Sequence, residues 1–286
     1  MGLARRAGQT LLAYPSAAGR FTVRERVGSD RRVKRAIAVF GLILALSSCG
    51  APKDPLDELA VGERGRVVRV LDGDALVLDT GQSVRLVGIE APAAPYRERE
   101  GDAGYETAKR LLEDMVLGRE VELRYGGLTR DRYDRALAHV VTVDALGPRL
   151  WLNAQMVRKG GARVRVYPDT AAANAPLLEL EVKARADARG LWADGVWIIH
   201  DAAALPEGAE RFQLVEGIAG GMKGSNERFA VCEVSIKGSS LILEVQRAAA
   251  ELCQLPDGTR IRARGFPRDG RLEVSHPLNL EILETP

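Results

Sequence analysis

The sequence contains few aromatic residues and few histidines. Aromatic side chains make up 5% of the 286 residues, so a folded core must be built mainly from Val, Leu, Ala and Ile. The histidines His139, His200 and His276 stand singly, without the paired spacing of a zinc site. The 46% hydrophobic and 28% charged content is that of a globular protein. This balance excludes a mostly disordered chain, a fibrous repeat and a protein with many membrane spans.

The chain also lacks a charge excess of one sign, because its net charge is only +2. That total hides an asymmetry. Residues 1–48 carry nine basic and two acidic side chains, which leaves 32 basic and 37 acidic side chains, a net charge of −5, on the rest. The body of the protein therefore does not bind its partners by bulk positive charge.

The apolar run at residues 36–46 (AIAVFGLILAL) spans about 11 residues, too few for a permanent membrane helix. Basic residues precede it and small residues follow it, which predicts a secretory signal. We assign residues 1–48 to an N-terminal extension and signal peptide. Translation that begins near Val33 would account for the polar residues 1–32, and a genuine disordered extension is the alternative. A buried core helix is the alternative for the apolar run itself.

The segment Leu46-Ser47-Ser48-Cys49 resembles the bacterial lipobox, in which the cysteine is acylated and becomes the new N-terminus. The resemblance implies lipidation at Cys49, a tether over residues 49–63 and a membrane attachment through the lipid anchor. The expected location is the bacterial cell envelope, either facing the periplasm or at the outer membrane. In that oxidising compartment Cys232 and Cys253 either form a disulfide or remain buried thiols.

Short alternating stretches separated by turn residues predict strands in the first half of the body. They lie at 67–71, 75–78, 83–87, 120–125, 136–143 and 162–166. Apolar residues at helical spacing predict a helix within 104–117, a second at 152–159 and a third from Pro176 to the stop at Gly190. This pattern predicts an α+β, mainly β domain over 64–195, an OB-like closed barrel of five strands with packed helices.

Several sequence blocks occur in a fixed order between Val67 and Asp194. They read VLDGDALVL, VRLVGIEAP, TRDRYDRALA, LNAQMVRKGGA and ARADARGLW. In this order the segment resembles the thermonuclease (staphylococcal nuclease-like) family. The resemblance covers less than half of the chain but nearly all of the predicted barrel domain. It implies hydrolysis of phosphodiester bonds in DNA and RNA, with Ca²⁺ as the cofactor.

The resemblance places the metal ligands at Asp74 and Glu90, with the main-chain carbonyl of Ala91 as a third. Oxygen ligands of this kind suit Ca²⁺, which accepts flexible geometry. On spacing alone, Asp72 and Asp74 also fit a solvated turn around Gly73, and we expect a structural role for Asp72.

Arg85 and Arg135 match the two phosphate-binding arginines of the family, and with Glu90 they are the predicted catalytic residues. An arginine suits phosphate because its planar fork meets two oxygens at once. Tyr133 matches an aromatic residue that contacts the nucleotide, so we predict substrate binding by Tyr133, Arg85 and Arg135. A packing role is the alternative for Tyr133.

The sequence departs from the family pattern where catalysis is most sensitive. Ala93 occupies the usual position of a glutamate that positions or deprotonates the attacking water, and alanine can do neither. Glu98, Glu100 or Glu106 could substitute for it. Asp134 replaces a glycine and adds negative charge beside Arg135.

Residues 196–210 are predicted to be a connector, and residues 211–286 a second small all-β domain, OB-like in type. OB faces often bind nucleic acid. This one has few aromatic residues, namely Phe212, Phe229 and Phe266, so a structural or partner-binding role is favoured.

Two functions remain open on the sequence. The first is a membrane-anchored, Ca²⁺-dependent nuclease of low sequence specificity, acting as a monomer on DNA and RNA. The second is a catalytically weakened nuclease fold that binds nucleic acid or an envelope protein. Ala93 and the negative charge of the body favour the second, because affinity for a polyanion usually needs excess cations.

Overall fold

A computed structural model describes residues 54–206, 209–225, 228 and 230–286. The predicted signal peptide, the lipidation at Cys49 and the side chain of Phe229 lie outside these residues. None of the helices in the described ranges combines the length and the apolar character needed to cross a bilayer.

The described residues form 14 strands and three α-helices. The strands are β1 (Ala60–Asp72), β2 (Ala75–Leu78), β3 (Ser83–Leu86), β4 (Ile89–Glu90), β5 (Glu120–Tyr125), β6 (Ala136–Thr142), β7 (Arg163–Val164), β8 (Ile199–Asp201), β9 (Gln213–Gly224), β10 (Ala230–Ile236), β11 (Ile242–Gln246), β12 (Arg260–Gly265), β13 (Arg271–Val274) and β14 (Leu280–Glu284). The helices are α1 (Tyr105–Val116), α2 (Leu152–Arg158) and α3 (Asn174–Ala186). Short 3-10 helices cover Pro168–Thr170, Gly190–Trp192, Ala202–Ala204, Arg247–Gln254 and Pro277–Asn279.

Five strands close into a barrel in the order β1-β2-β3-β6-β5. The strands predicted at 67–71, 75–78 and 83–87 supply the antiparallel pairs β1–β2 and β2–β3, and a parallel pair joins β3 to β6. Antiparallel β5 completes the circle between β6 and β1. Alternate side chains point inward, and Val67, Leu76, Leu86, Leu123 and Val140 are fully buried. The predicted barrel and its aliphatic core are confirmed.

Helix α1 packs its predicted apolar stripe against the barrel. Ala108, Leu112 and Val116 recur every four residues and are fully buried, while Leu111 and Met115 are partly buried beside them. One helix face therefore seals one side of the core.

Helix α3 begins two residues earlier than predicted, at Asn174. Pro176 lies in its first turn, where the missing N–H of proline needs no partner, so the proline does not mark the start itself.

Strands β4 and β7 form a separate two-stranded ribbon outside the barrel. Glu90 of β4 pairs with Arg163 of β7, and Arg165, which directly follows β7, donates its N–H to the Gly88 carbonyl at 3.0 Å. Gly88 adopts a φ of +76°, and a Cβ there would lie 2.3 Å from Asn174 Oδ1, so only glycine fits. The ribbon therefore brings Glu90 and Arg165 together.

The C-terminal region is a second, all-β unit, as predicted. Its strands follow the order β13-β11-β10-β9-β12-β14, and β8 also pairs with β9. Cys232 and Cys253 are joined by a disulfide, with their Cα atoms 6.1 Å apart. Residues Arg247–Gln254 form a 3-10 helix. The OB-like character of this second sheet stays a prediction.

A buried arginine joins the second sheet to the barrel domain. Arg264 of β12 donates to the Val164 carbonyl of β7 at 3.0 Å and to Glu181 Oε2 of α3 at 3.0 Å. It also pairs with Glu281 of β14. Because Arg264 and Glu181 are both 0% exposed, this contact is fully enclosed by protein.

The structure differs from the tether predicted over residues 49–63. Residues 54–63 are folded: β1 begins at Ala60, and Leu56 and Leu59 are buried against the barrel domain. The segment looks polar in sequence because only these two leucines carry its packing.

The structure also differs from the connector predicted over residues 196–210. Trp197 lies in the barrel core and Ala202 in the core of the second sheet, while β8 between them pairs with β9. The alanines and glycines of this segment permit close packing as readily as they permit a flexible link.

Candidate active site

The side chain of Arg85 joins the two carboxylates that the sequence assigns to a metal. Arg85 Nη1 lies 2.7 Å from Asp74 Oδ1, and Arg85 Nη2 lies 2.7 Å from Glu90 Oε2. Asp74 follows the turn between β1 and β2, Arg85 lies on β3 and Glu90 ends β4. The β1–β2 turn and two strands therefore bring the predicted residues into one cluster.

The turn before β2 fixes the carboxylate of Asp74. Its Oδ2 accepts the N–H of Ala91 at 2.8 Å, and its own N–H donates to Asp72 Oδ1 at 3.1 Å. A Cβ at Gly73 would lie 2.7 Å from the side chain of Ala91 and 2.8 Å from that of Ala108. The turn can approach helix α1 this closely only with glycine at its centre.

Burial and neighbouring charges shift the pKa values of Asp74 and Arg85 in opposite directions. Asp74 is 1% exposed, and burial raises its pKa well above the usual range even though Arg85 opposes the shift. Burial alone would lower the pKa of Arg85, but the charges of Asp74 and Glu90 raise it above its ordinary value. Arg85 is therefore a permanent cation.

A third arginine, which the sequence reasoning missed, contacts the same cluster. Arg165 Nη1 lies 2.6 Å from Glu90 Oε2, and its guanidinium carbon lies 4.3 Å from the centre of the Tyr167 ring. The alternation of basic and apolar residues in ARVRV placed Arg163 and Arg165 on one strand face. That signal could have indicated a second cation beside the site.

Arg135 is held by a carboxylate that was also missed. Asp131 Oδ2 accepts from Arg135 Nε at 2.7 Å, and Asp131 Oδ1 accepts the N–H groups of Tyr133 and Arg135 at 2.9 and 3.0 Å. Burial opposes the shift, but the hydrogen bonds from Arg135 and Tyr133 lower the pKa of Asp131. Asp134 adopts a φ of +61°, in the left-handed region that favours the glycine it replaces.

A cleft of about 360 Å³, called here the site cleft, opens beside these groups. Its charged lining residues are Arg85, Glu90, Asp131, Arg135, Arg165 and Asp169. The predicted catalytic residues Arg85, Glu90 and Arg135 thus share one cleft. Asp74 and Tyr133 are not among its lining residues, and Tyr133 is 66% exposed.

The donor set fits a hard cation in kind. Asp74 and Glu90 supply carboxylate oxygens and Ala91 supplies a carbonyl, which are ligands that Ca²⁺ takes. The described residues contain no group of three or more acidic, histidine or cysteine side chains placed to hold a metal. Water or substrate oxygens would have to complete the shell of such a cation, and a cation at Glu90 would compete with Arg85 and Arg165.

The position of Ala93 carries no proton-accepting side chain. Its N–H donates to Asp102 Oδ2 at 3.1 Å, which anchors the loop after β4. The glutamates that could substitute, Glu98, Glu100 and Glu106, are exposed and do not line the site cleft. Glu98 and Glu100 lie in the loop after β4, and Glu106 lies in the first turn of α1.

The fold and the site together define a class of protein: a small five-stranded barrel whose flank bears an arginine-lined cleft suited to phosphate. Comparison with known sequences agrees with this class. A family model described as "Staphylococcal nuclease homologue" matches residues 83–194. That range contains Arg85, Glu90, Arg135 and Arg165, but not Asp74.

Named relatives match the same part of the chain. An "Uncharacterized endonuclease" of Escherichia coli O157:H7 is 39% identical over 133 residues, which cover 46% of this chain and 77% of the relative. A "Thermonuclease" of Staphylococcus intermedius is 29% identical over 136 residues, 46% of this chain and 78% of the relative. A "Micrococcal nuclease" of Shigella flexneri is 36% identical over 138 residues, 46% of this chain and 74% of the relative. The chain belongs to the staphylococcal nuclease homologue family.

Proposed function

We propose that the protein is a nuclease that hydrolyses phosphodiester bonds of DNA and RNA with low sequence specificity. The observation that carries this proposal is the convergence of Arg85, Arg135 and Arg165 on one cleft beside Glu90. Guanidinium groups bind phosphate oxygens through paired hydrogen bonds. The relatives named endonuclease, thermonuclease and micrococcal nuclease support the same function.

The arginines are held in place before substrate arrives. Arg85 is fixed by Asp74 and Glu90, and Arg135 by Asp131. Fixed cations stabilise the charge that develops on phosphate oxygens without having to reorganise during the reaction. Because such groups bind the phosphate backbone, which is the same in every nucleotide, they confer little sequence preference.

Ca²⁺ is the cofactor we propose, held by the carboxylates of Asp74 and Glu90 and the carbonyl of Ala91. When bound, it supplies Lewis acidity for the phosphate and for the attacking water. Glu90 is the ligand that faces the cleft, while Asp74 is enclosed and holds Arg85 as well.

The second candidate is a binding module for nucleic acid or for another envelope protein. Ala93 favours it, because no carboxylate at this position is available to take a proton from water. Such a module keeps its phosphate-binding arginines and loses only turnover.

Cleavage of supercoiled plasmid separates the two candidates. The purified full-length protein should nick and linearise the plasmid with Ca²⁺ and stop when a chelator is added. Arg85→Ala combined with Arg135→Ala should abolish cleavage, which excludes a contaminating nuclease. Arg158→Ala, an exposed arginine of α2 outside the site cleft, is the matched control and should cleave normally. Plasmid binding without chelator-sensitive cleavage would establish the binding module instead.

We also propose that the protein is a monomeric lipoprotein of the bacterial cell envelope, anchored at Cys49. The Cys232–Cys253 disulfide supports an oxidising location. Labelled fatty acid should be incorporated into the wild-type protein and not into Cys49→Ser, which should appear in the soluble fraction. Light scattering of the detergent-solubilised protein checks the monomer.

A further inference from the structure

A second cavity, of about 420 Å³, lies on the C-terminal sheet and is called here the second cleft. Arg165 and Tyr167 line both this cavity and the site cleft. The two clefts are therefore adjacent.

Planar side chains from the barrel domain and from the C-terminal sheet pack together between the two clefts. The guanidinium of Arg165 lies 4.3 Å from the ring centre of Tyr167 and 4.5 Å from that of Phe266, which follows β12. Phe266 in turn meets Phe212 edge to face at 5.5 Å. Tyr167 remains 45% exposed, so ring surface is available for contact with a ligand.

Cations line the far side of the second cleft. Arg268 is exposed, and the half-buried Arg271 pairs with Glu244 and Glu233. Carboxylates of Glu244, Asp269 and Glu273 also line the cavity. Because the charges nearly balance, attraction of a polyanion by charge alone is weak here, and stacking on the rings must contribute most of the affinity.

The position of the second cleft relative to the site is fixed by buried contacts. Arg264 of β12 binds the carbonyl of Val164, the residue directly before Arg165, and pairs with Glu181 of α3. A ligand that spans both clefts therefore meets a preformed surface and does not have to order one.

We propose that the second cleft binds the part of a single-stranded polynucleotide that continues beyond the phosphate held in the site cleft. Unpaired bases stack on Tyr167 and Phe266, and Arg268 contacts the backbone. Every base has a stackable face, so such a subsite keeps sequence specificity low. The proposal rests on the proposed function, since it assigns a longer substrate to the same site.

A single strand is favoured over the other anionic polymers. Duplex bases are already stacked on one another and leave no face for Tyr167 and Phe266. An acidic peptide offers no planar bases that could stack on Tyr167 and Phe266.

Binding measured in the presence of a chelator tests the proposal without cleavage. Fluorescence anisotropy of labelled oligothymidylates of about 4 and about 20 nucleotides reports strand length. Arg268→Glu and Phe266→Leu should each weaken binding of the longer strand by about tenfold, the loss of roughly one stacked base or one backbone contact. Binding of the shorter strand should change by less than twofold. Arg247→Glu, the same charge reversal at an exposed position outside both clefts, is the matched control.

The outcomes distinguish failure of this inference from failure of the proposed function. If the variants lose the same affinity for both strand lengths, or lose none for either, the second-cleft subsite is refuted even when plasmid is cleaved. If only the longer strand binds more weakly and plasmid is not cleaved, the subsite is supported and the nuclease function is refuted. Equal affinity for a duplex, or for a poly-glutamate peptide, also overturns the proposal. Phe266 packs on Phe212, so Arg268→Glu, at an exposed residue, keeps the test valid if Phe266→Leu loses its fold.

Discussion

Arg165 Nη1 lies 2.6 Å from Glu90 Oε2, the same oxygen that accepts from Arg85 Nη2 at 2.7 Å. One carboxylate oxygen of a proposed metal ligand is thus shared by two cations. A Ca²⁺ ion at Glu90 must displace at least part of this positive charge. If Ca²⁺ binds at Glu90 as proposed, Arg165 would compete with the metal for this carboxylate.

Removal of Arg165 should tighten calcium binding. In Arg165→Gln we expect the dissociation constant for Ca²⁺ to fall by about tenfold, equivalent to about 1.4 kcal/mol, because one competing charge is lost. Isothermal titration calorimetry with CaCl₂ alone measures this directly. Arg158→Gln removes a charge outside the site cleft and should bind Ca²⁺ as the wild type does. Unchanged or weaker binding in Arg165→Gln would show that Arg165 does not compete with the metal.

Replacing Arg135 or Arg85 with lysine should distinguish the contribution of each arginine to catalysis from its contribution to stability. Arg135→Lys should lower kcat/KM by about 100-fold because the paired hydrogen bonds are lost. Its side chain is 34% exposed, so the free energy of unfolding should barely change. Arg85→Lys should lower kcat/KM similarly and also destabilise the fold by about 1–3 kcal/mol, because enclosed Asp74 loses its partner. Plasmid kinetics and urea unfolding provide the two readouts. Equal stability of the two variants would contradict the central place of Arg85 in the cluster.

The barrel was predictable because short stretches rich in apolar, strand-forming residues are separated by tight turns. The placement of Asp74, Arg85, Glu90 and Arg135 came from matching sequence blocks to a family and not from spacing alone. Their convergence follows once the strands close, since β3 carries Arg85 and its Leu86 N–H donates to the Asp74 carbonyl, while the N–H of Ala91, directly after β4, donates to the Asp74 carboxylate.

The parts that the sequence did not predict depend on contacts between distant segments. Arg165 and Glu90 lie 75 positions apart in the sequence. Arg165 reaches Glu90 only because β4 and β7 pair as a two-stranded ribbon. Leu56 and Leu59 looked like part of a tether because a segment with two apolar residues has no periodicity to detect. Phe266 meets Arg165 only after the two sheets dock, which no local pattern encodes.

The buried ion pairs between the sheets should matter for stability. Arg264→Met leaves Glu181 enclosed and short of one partner, and we expect a loss of about 3–5 kcal/mol in the free energy of unfolding. Adding Glu181→Gln should recover part of that loss, because it removes a fully buried charge that Arg185 alone then has to balance. Arg262→Met, at a neighbouring arginine whose side chain is 14% exposed, should cost less. Urea unfolding of the four proteins checks this, and a small effect of Arg264→Met alone would contradict it.

His139 should make stability depend on pH. Its Nε2 lies 2.9 Å from the Ala172 carbonyl, and burial lowers its pKa to about 4. An unfolded histidine titrates near 6.5, so the neutral ring stabilises the fold fully above about pH 6.5. This contribution is lost as the pH falls towards 4, by about 3 kcal/mol.

A variant without His139 distinguishes the contribution of this histidine to the free energy of unfolding from that of the titrating carboxylates. His139→Gln should show a flatter fall in the free energy of unfolding between pH 6.5 and 4 than the wild type. His200→Gln, on β8, should keep the wild-type slope. Parallel curves for wild type and His139→Gln would show that His139 is not the group responsible.

Restoring a carboxylate at Ala93 should raise turnover. Ala93 follows the β4 segment that carries Glu90, and its N–H is already fixed by Asp102. A glutamate there supplies a proton acceptor for the attacking water, and general-base catalysis contributes about 100-fold or more. We expect kcat on plasmid DNA to rise by about that factor in Ala93→Glu, with a new acidic limb in the pH–rate profile. Ala94→Glu places the same charge one residue away and should leave kcat unchanged. If Ala93→Glu does not exceed Ala94→Glu, the missing base is not what limits this enzyme.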